Sequence, residues 1–508
     1  MDDAVLDRVL VAQDFSPARS TRREPQVVAV LVILLVLFRC LVFLVWEQAY
    51  FDSDQAITGL MAKHISQGRA FPLFFYGQNY LLELQAWLAA PIFLVAGVSN
   101  TTLKIPLVAI NLAIALLLLR TLHRDVGLRP IVALVPILFF VLPAPGTAAT
   151  FLLGGSIEPF LYVLLIWVTR KRPIWCGLVL GLGVLQREFT LYGLLALLLI
   201  EIVERSLFTR EGMRRKAAMM VAAAGVWFLV QWLKGYSTPE GPGTTLADIY
   251  TRGNVGELIG RLCLDFSAVP RGAWRMLTSH WPALFGLQVQ PVAQFGIEGV
   301  VNQGLNGAWP LLAATALIPL IVIPLTLGTE RRWRPEYGFP AYLILVGFFS
   351  SAGYVVGRCG AITLILMRYD LMSILGMVGL GALFLRVTRS AIMRRLWIAC
   401  ALSCVAIAVL GNGRLLRKYL VSPPFASRRL IVDSLEARGI KYGISDYWIA
   451  YAVTFLSNER IIMASNTVVR IKEYNRIVDE HRAEAVRISR DRCDNGWRLT
   501  FGLYVCPP

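Results

Sequence analysis

The chain has 508 residues, 56% of them hydrophobic and only 16% charged, a balance that excludes an ordinary soluble globular protein and reads as an integral membrane protein. Its formal charge of +17 at pH 7 would, in a soluble protein, prompt a search for nucleic acid. Here the Arg/Lys clusters occupy short gaps between apolar runs and act as topology signals, so no nucleic-acid partner is expected.

A basic tail over 1–26, with Arg8, Arg19, Arg22 and Arg23, precedes the first apolar run. No A-x-A-like cleavage site follows that run, which therefore reads as an uncleaved anchor. A spanning helix needs about 20 predominantly apolar residues, and the runs predicted on that basis are 27–46, 101–122, 130–144, 157–169, 173–186, 190–204, 217–234, 309–328, 338–356, 369–387 and 396–412. Segment 81–97 is apolar too, but it is short, acidic at Glu83 and broken by Pro91. If it does not cross, the clusters Arg120/Arg124/Arg129, Arg170/Lys171/Arg172, Arg205 to Lys216, Arg331/Arg332/Arg334 and Arg386 to Arg395 share a side with the basic tail. If it crosses, every cluster flips outside, against the positive-inside rule. Segment 81–97 is therefore placed in the outer interface, which gives about 11 spans, the N-terminus in the cytoplasm and the C-terminus outside.

Residues 47–100 become an outer loop built on two interfacial helices. In the first, within FDSDQAITGLMAKHISQG (51–68), Ile57, Leu60, Met61 and Ile65 recur on one face, the pattern of a helix lying in the membrane surface. Between the two, FPLFFYGQNY sets Tyr76, Gln78 and Tyr80 among aromatic rings. Such a mixture at headgroup depth suits a lipid-borne substrate, or serves as an aromatic belt that anchors the fold. A second outer loop, 235–308, opens with the loop-like YSTPEGPGTT and continues through RGNVGELIGRLCLDF and PRGAWRMLTSHWPALFG, which read as short amphipathic surface helices.

After Gly413 the pattern changes to helix, short strand, helix, short strand, with Gly439 and Asn458 near helix ends. AVRISR and WRLTFGLYV are predicted to form a hairpin around the DNG turn at 494–496. The expected architecture is a polytopic all-α membrane protein, with the membrane part at 27–412 and a small soluble α/β domain at 413–508. Cys40, Cys176, Cys400 and Cys404 lie in apolar runs as buried small hydrophobes. Cys493 and Cys506 share a polar region, where an oxidising compartment would join them.

Acidic residues are scarce on the predicted outer face. Asp52 and Asp54 head the first interfacial helix, where either one serves as an N-cap and the other is left for chemistry. Glu158 stands at the outer start of a span, in FLLGGSIEPF, after a glycine pair, and Arg187 lies in GLGVLQREFTLYG on the same side. Arg368, Tyr369 and Asp370 stand between apolar residues, where an arginine needs a partner: Asp370, or a phosphate. The sequence holds no Walker-type glycine loop, no dinucleotide fingerprint, no H-E-x-x-H and no G-x-S-x-G. An ATP-driven pump or a zinc protease is thereby disfavoured.

A first span, an outer loop with an acidic motif and two juxtamembrane helices, many further spans and an outer C-terminal domain resemble the GT-C superfamily of membrane glycosyltransferases. The resemblance is to the bacterial branch related to protein O-mannosyltransferases and the lipid A aminoarabinose transferase. It rests on DSDQAITGLMAKHISQG with FFYGQNYLLELQAWLAAPIFLVAG and, more weakly, on Glu158 and the MRY at 367–369. It implies a hexosyl- or pentosyltransferase in a bacterial cytoplasmic (inner) membrane, using a polyprenyl-phosphate sugar donor and a lipid, glycan or protein acceptor. Asp54 would be the general base, with Asp52 and Glu158 completing the catalytic acids. Asp54 is followed by Gln55 where the family commonly has a second acid, so Asp52 stays open as the base. Arg368 with Tyr369 would bind the lipid phosphate, with Arg187, Tyr76, Gln78, Tyr80 and Glu83 lining the substrate. A divalent cation held with Glu158 is left open. A transporter or flippase of a lipid-linked sugar is the alternative from another class.

Overall fold

A computed structural model describes residues 23–46, 51–78, 81–237, 267–288, 304–329, 333–357, 368–424, 426–499 and 502–507. The predicted Tyr80, the polar stretch opening at Tyr236 beyond Ser237, and RGNVGELIGRLCLDF lie outside the described residues. Every predicted apolar run forms a helix. In chain order the membrane part comprises α1 (Glu24–Val45), α2 (Ser53–Ser66), α3 (Leu84–Ala96), α4 (Asn100–Arg124), α5 (Pro130–Val141), α6 (Pro145–Thr150), α7 (Glu158–Thr169) and α8 (Pro173–Gln186). It continues with α9 (Thr190–Val203), α10 (Arg210–Ser237), α11 (Val269–Arg275), α12 (Trp281–Leu284), α13 (Trp309–Thr329), α14 (Gly338–Gly357), α15 (Ser373–Val387) and α16 (Ala391–Val421).

Among the described residues 6 helices, α1, α4, α10, α13, α14 and α16, are long and apolar enough to cross a membrane, and the chain is a multi-pass membrane protein. The remaining apolar helices of the bundle, α5, α7, α8, α9 and α15, have 12 to 15 residues, or about 18–22 Å at 1.5 Å per residue. Helix α1 shows how the bundle is patterned. Val28, Val32, Val36 and Cys40 are buried in one stripe while Val27, Leu34 and Val45 are exposed, as expected of a helix with one face on protein and one on lipid. Arg39 is buried in the same helix and donates to the Phe140 carbonyl and to Asn111 Oδ1, between the rings of Phe140 and Phe151. Such pairing is what makes an arginine tolerable at membrane depth.

The first outer helix departs from the reading of its sequence. Ile57, Leu60 and Met61 are fully buried, yet α2 does not present them to the membrane surface: it packs against α3 on one side and the C-terminal domain on the other. Its apolar face was legible; the domain that covers it was not. Helix α3 keeps the interfacial character instead, with Trp87, Leu88, Leu94 and Val95 exposed.

The C-terminal domain contains α17 (Ser427–Glu436), β1 (Tyr442–Ser445), α18 (Tyr447–Leu456), β2 (Ile462–Ser465), α19 (Lys472–Glu480), β3 (Val486–Ser489), β4 (Trp497–Arg498) and β5 (Tyr504–Cys506). Its sheet has the order β2-β1-β3-β5-β4. Strand β1 is parallel to β2 and β3, and β5 is antiparallel to β3 and β4. The predicted hairpin is thus corrected. AVRISR pairs with the last strand rather than across the DNG turn, and the two strands of WRLTFGLYV pair with each other, with Gly502 at positive φ between them. A disulfide joins Cys493 to Cys506 and brackets the β4–β5 unit.

One half-buried carboxylate fastens this domain to α2. Glu459 receives Lys63 Nζ at 2.6 Å, Arg69 Nη1 at 3.0 Å and Tyr474 Oη at 2.8 Å, with His64 Nε2 at 3.3 Å. Burial alone would raise its pKa, but hydrogen bonds from His64 and Lys63 outweigh that and hold it well below the usual carboxylate range. A folded pKa below the unfolded value of about 4.3 stabilises fully above that pH and is lost as pH falls through the folded value. Glu459→Ala is expected to cost about 3–5 kcal/mol by leaving Lys63 unpaired in a buried site. Unfolding in detergent, followed by near-ultraviolet circular dichroism, should show that loss at pH 7 and a weaker acid dependence than wild type.

Candidate active site

The acid pair sits at the start of α2 for a local reason. Asp52 is its N-cap: its extended backbone lets Oδ1 accept from the Gln55 backbone N–H at 3.1 Å and from Gln55 Nε2 at 3.3 Å. Asp54, in the first turn, is left to face outward from the cap, and its Oδ1 accepts a hydrogen bond from the Tyr447 hydroxyl. Burial, and next the neighbouring charge of Asp54, push the Asp52 pKa up to about 6 against the hydrogen bonds from Gln55 and the charge of Arg368.

Both aspartates open into a cavity of about 590 Å³ between the membrane part and the C-terminal domain. The cavity also gathers the predicted Gln78, Glu83, Arg187, Arg368 and Tyr369, together with Asp446, Tyr447, Trp448, Thr467 and Arg470, which sequence reasoning missed. Arg368 donates to the Tyr369 hydroxyl at 3.1 Å and stacks on that ring. The alternative of an Arg368–Asp370 pair does not hold, because Asp370 turns into the bundle and accepts from Ser350, Ser351 and the Trp281 indole. Arg187 lies against the glycine pair. A Cβ on Gly155, which has φ of +73°, would fall 2.2 Å from its Nη2, so only glycine lets the guanidinium settle there.

Two predicted residues are placed elsewhere. Glu158 is fully buried behind the wall, where its Oε1 accepts from the Gly155 N–H at 3.0 Å; it holds the turn that seats Arg187. Tyr76 lines a neighbouring cavity with His64, Arg69, Lys472 and Arg476 and bonds His64 Nδ1 at 2.8 Å.

Four buried polar atoms in or just behind the cavity wall have no partner: Glu83 Oε1, Glu158 Oε2, Arg187 Nε and Arg470 Nε. Buried groups of this kind are rarely left unmet without a ligand or water to serve. Burial, and then the charge of Glu158, push Glu83 up to about 8, so it is neutral at pH 7. Among the described residues no three His, Cys, Asp or Glu side chains converge to hold a metal ion. Asp54 is engaged by Tyr447, and Glu83 faces another carboxylate and Arg187. This donor set does not fit a resident cation.

The missed residues share an origin. In the parallel part of the sheet, β1 is flanked by β2 and β3, the arrangement in which ligands bind beyond the carboxyl ends of the strands, where the order reverses. Asp446 and Tyr447 follow β1 directly and Thr467 follows β2. The stretch ISDYW therefore carried the signal, but only the strand order makes it readable.

No protein-family model matches the chain, and no curated protein matches it. Among solved structures, the oligosaccharyltransferase of Archaeoglobus fulgidus, in complex with Zn and sulfate, matches with a TM-score of 0.51 at 13% identity, over 91% of this chain and 67% of that one. ArnT from Cupriavidus metallidurans matches at 12% identity, with a TM-score of 0.39 in the apo state over 91% of this chain and 92% of that one. Bound to undecaprenyl phosphate it gives 0.38, over 90% and 92%. The likeness to the oligosaccharyltransferase establishes a shared fold.

The raised pKa of Glu83 has a consequence for anion binding. As pH rises through about 8 a negative charge forms beside Arg187, opposing any phosphate held there. The KM of an anionic substrate is expected to climb above that pH in wild type, and Glu83→Gln should abolish the climb, as steady-state kinetics from pH 6 to about 9.5 would show.

Proposed function

We propose that this chain is a GT-C-type glycosyltransferase that moves a sugar from a polyprenyl-phosphate donor to an acceptor hydroxyl on the outer face of the bacterial cytoplasmic membrane. The observation that carries the reading is one cavity with a half-buried carboxylate pair at the head of α2 and the guanidinium groups of Arg187 and Arg368 in its walls. The fold shared with an oligosaccharyltransferase supports it. So does the disulfide: it belongs in an oxidising compartment, and the domain that carries it also contacts Asp54. In this reading the cavity lies on the outer side and the basic loops on the other, in keeping with the positive-inside rule.

In this reading the isoprenoid stays in the bilayer while the phosphate meets Arg368 and Arg187. Asp54 takes the proton of the acceptor hydroxyl as its oxygen bonds to the anomeric carbon. The bond from that carbon to the phosphate oxygen breaks, and the electron pair leaves with the phosphate, where the arginines stabilise the growing charge. Inversion at the anomeric carbon follows from a single displacement. Asp52, capping the helix, holds Asp54 in place and shares its field, while Glu158 acts through the turn under Arg187. Glu83 and Gln78 offer hydrogen bonds to sugar hydroxyls.

The test uses purified protein in lipid with a panel of radiolabelled polyprenyl-phosphate hexoses and pentoses. Asp54→Asn is expected to lower donor turnover by about 10²–10⁴-fold with the protein still folded, and Arg368→Ala to weaken both donor binding and kcat. Labelled substrate crossing the bilayer with no new glycosidic bond would overturn the enzyme and favour a transporter.

A further inference from the structure

We propose that Tyr447, delivered by the C-terminal domain, positions Asp54 for proton transfer, so that this domain supplies part of the catalytic machinery. The inference rests on the reading of Asp54 as the base. Tyr447 donates to Asp54 Oδ1 across a sequence separation of 393 residues, which leaves Oδ2 to receive a proton. A general base needs such a third group to fix its orientation.

Tyr447 is itself rigidly held. Its backbone N–H donates to Thr467 Oγ1 at 3.0 Å, and its ring lies 4.9 Å from Trp448 and 5.6 Å from Tyr451. The Arg470 guanidinium stands 5.7 Å from its face and is tied to the membrane part by a 3.0 Å bond to the Gly77 carbonyl. Burial, and then the charge of Asp54, hold the phenol pKa far above its usual value, so the hydroxyl stays a donor.

The contact also has a frame. Helices α2 and α18 run side by side in the same direction: Asp54 meets Tyr447, Gly59 faces the Phe455 ring, and Lys63 donates to the Asn458 carbonyl at 2.9 Å. A Cβ on Gly59 would fall 2.4 Å from Phe455. The close packing along the pair fixes where the Tyr447 hydroxyl arrives.

The test takes the full-length protein in lipid with a donor from the radiolabelled panel, and compares wild type with Tyr447→Phe, Tyr342→Phe and Asp54→Asn. Tyr447→Phe keeps the ring and removes the donor, so kcat is expected to fall about 10- to 100-fold while the donor KM stays within about twofold. Tyr342, fully buried in the membrane bundle with its hydroxyl donating to the Val163 carbonyl at 2.7 Å, is the structural control. Its phenylalanine variant should lose thermal stability and keep kcat. Wild-type kcat in Tyr447→Phe, or a raised KM with kcat unchanged, overturns the proposal while an inactive Asp54→Asn leaves the base reading standing. Retained turnover in Asp54→Asn removes the base reading and the proposal with it.

Discussion

The packing of α2 against α18 governs both the fold and the site. Helix α2 is 14 residues long, too short to be stable alone in water, and it carries ionisable residues at both ends, Asp54 in the first turn and Lys63 and His64 near the last. It exists because its neighbours satisfy each of these. Asp52 meets its own cap, Asp54 meets Tyr447, and Lys63 and His64 meet Glu459. Remove the C-terminal domain and the apolar face of Ile57, Leu60 and Met61 is exposed, while Lys63 and His64 lose Glu459. The soluble domain is therefore part of the core that holds the acid pair, and the hydrophobic cluster that spans the two regions has the same meaning.

The cavity stores its charges unevenly. Asp52 and Glu83 are each raised by burial and by a second carboxylate, while arginines stand in the same walls. Keeping Glu83 neutral at pH 7 spares the site one negative charge, and the buried Nε of Arg187 has no partner. A polar, enclosed space that repels excess negative charge and offers unmatched donors is suited to a phosphate with hydroxyls attached. Glu158 contributes from behind by fixing the Gly154–Gly155 turn, where its carboxylate accepts from the Gly155 N–H.

What the sequence made legible divides along physical lines. Apolar run length marked every long helix of the bundle, because lipid and core both reward it, and missed the six-residue α6. The scarcity of outer acids marked Asp52, Asp54 and Glu158, and the cost of an isolated arginine marked Arg368. Arg39 escaped, since its partners are a backbone carbonyl and an amide far away in sequence. So did the five residues from the C-terminal domain. A tyrosine and a tryptophan after a short strand look like core until the strand order shows which end of the sheet meets the membrane part. The apolar face of α2 was likewise seen but assigned to lipid, because periodicity reports that a face is covered and not by what.

In the proposed reaction the two regions divide the substrate between them. Arg187 and Arg368 come from the loops of the membrane bundle, next to the bilayer that holds an isoprenoid, whereas Tyr447, Asp446 and Thr467 come from strand ends of the soluble domain. A donor anchored in lipid reaches the first set without leaving the membrane, and an acceptor arriving from the aqueous side meets the second. Asp54 stands where the sets touch, on a helix fixed by both. A base placed at that boundary sees the acceptor hydroxyl only when the donor's anomeric carbon is already beside it, and that ordering disfavours proton abstraction with no bond to make.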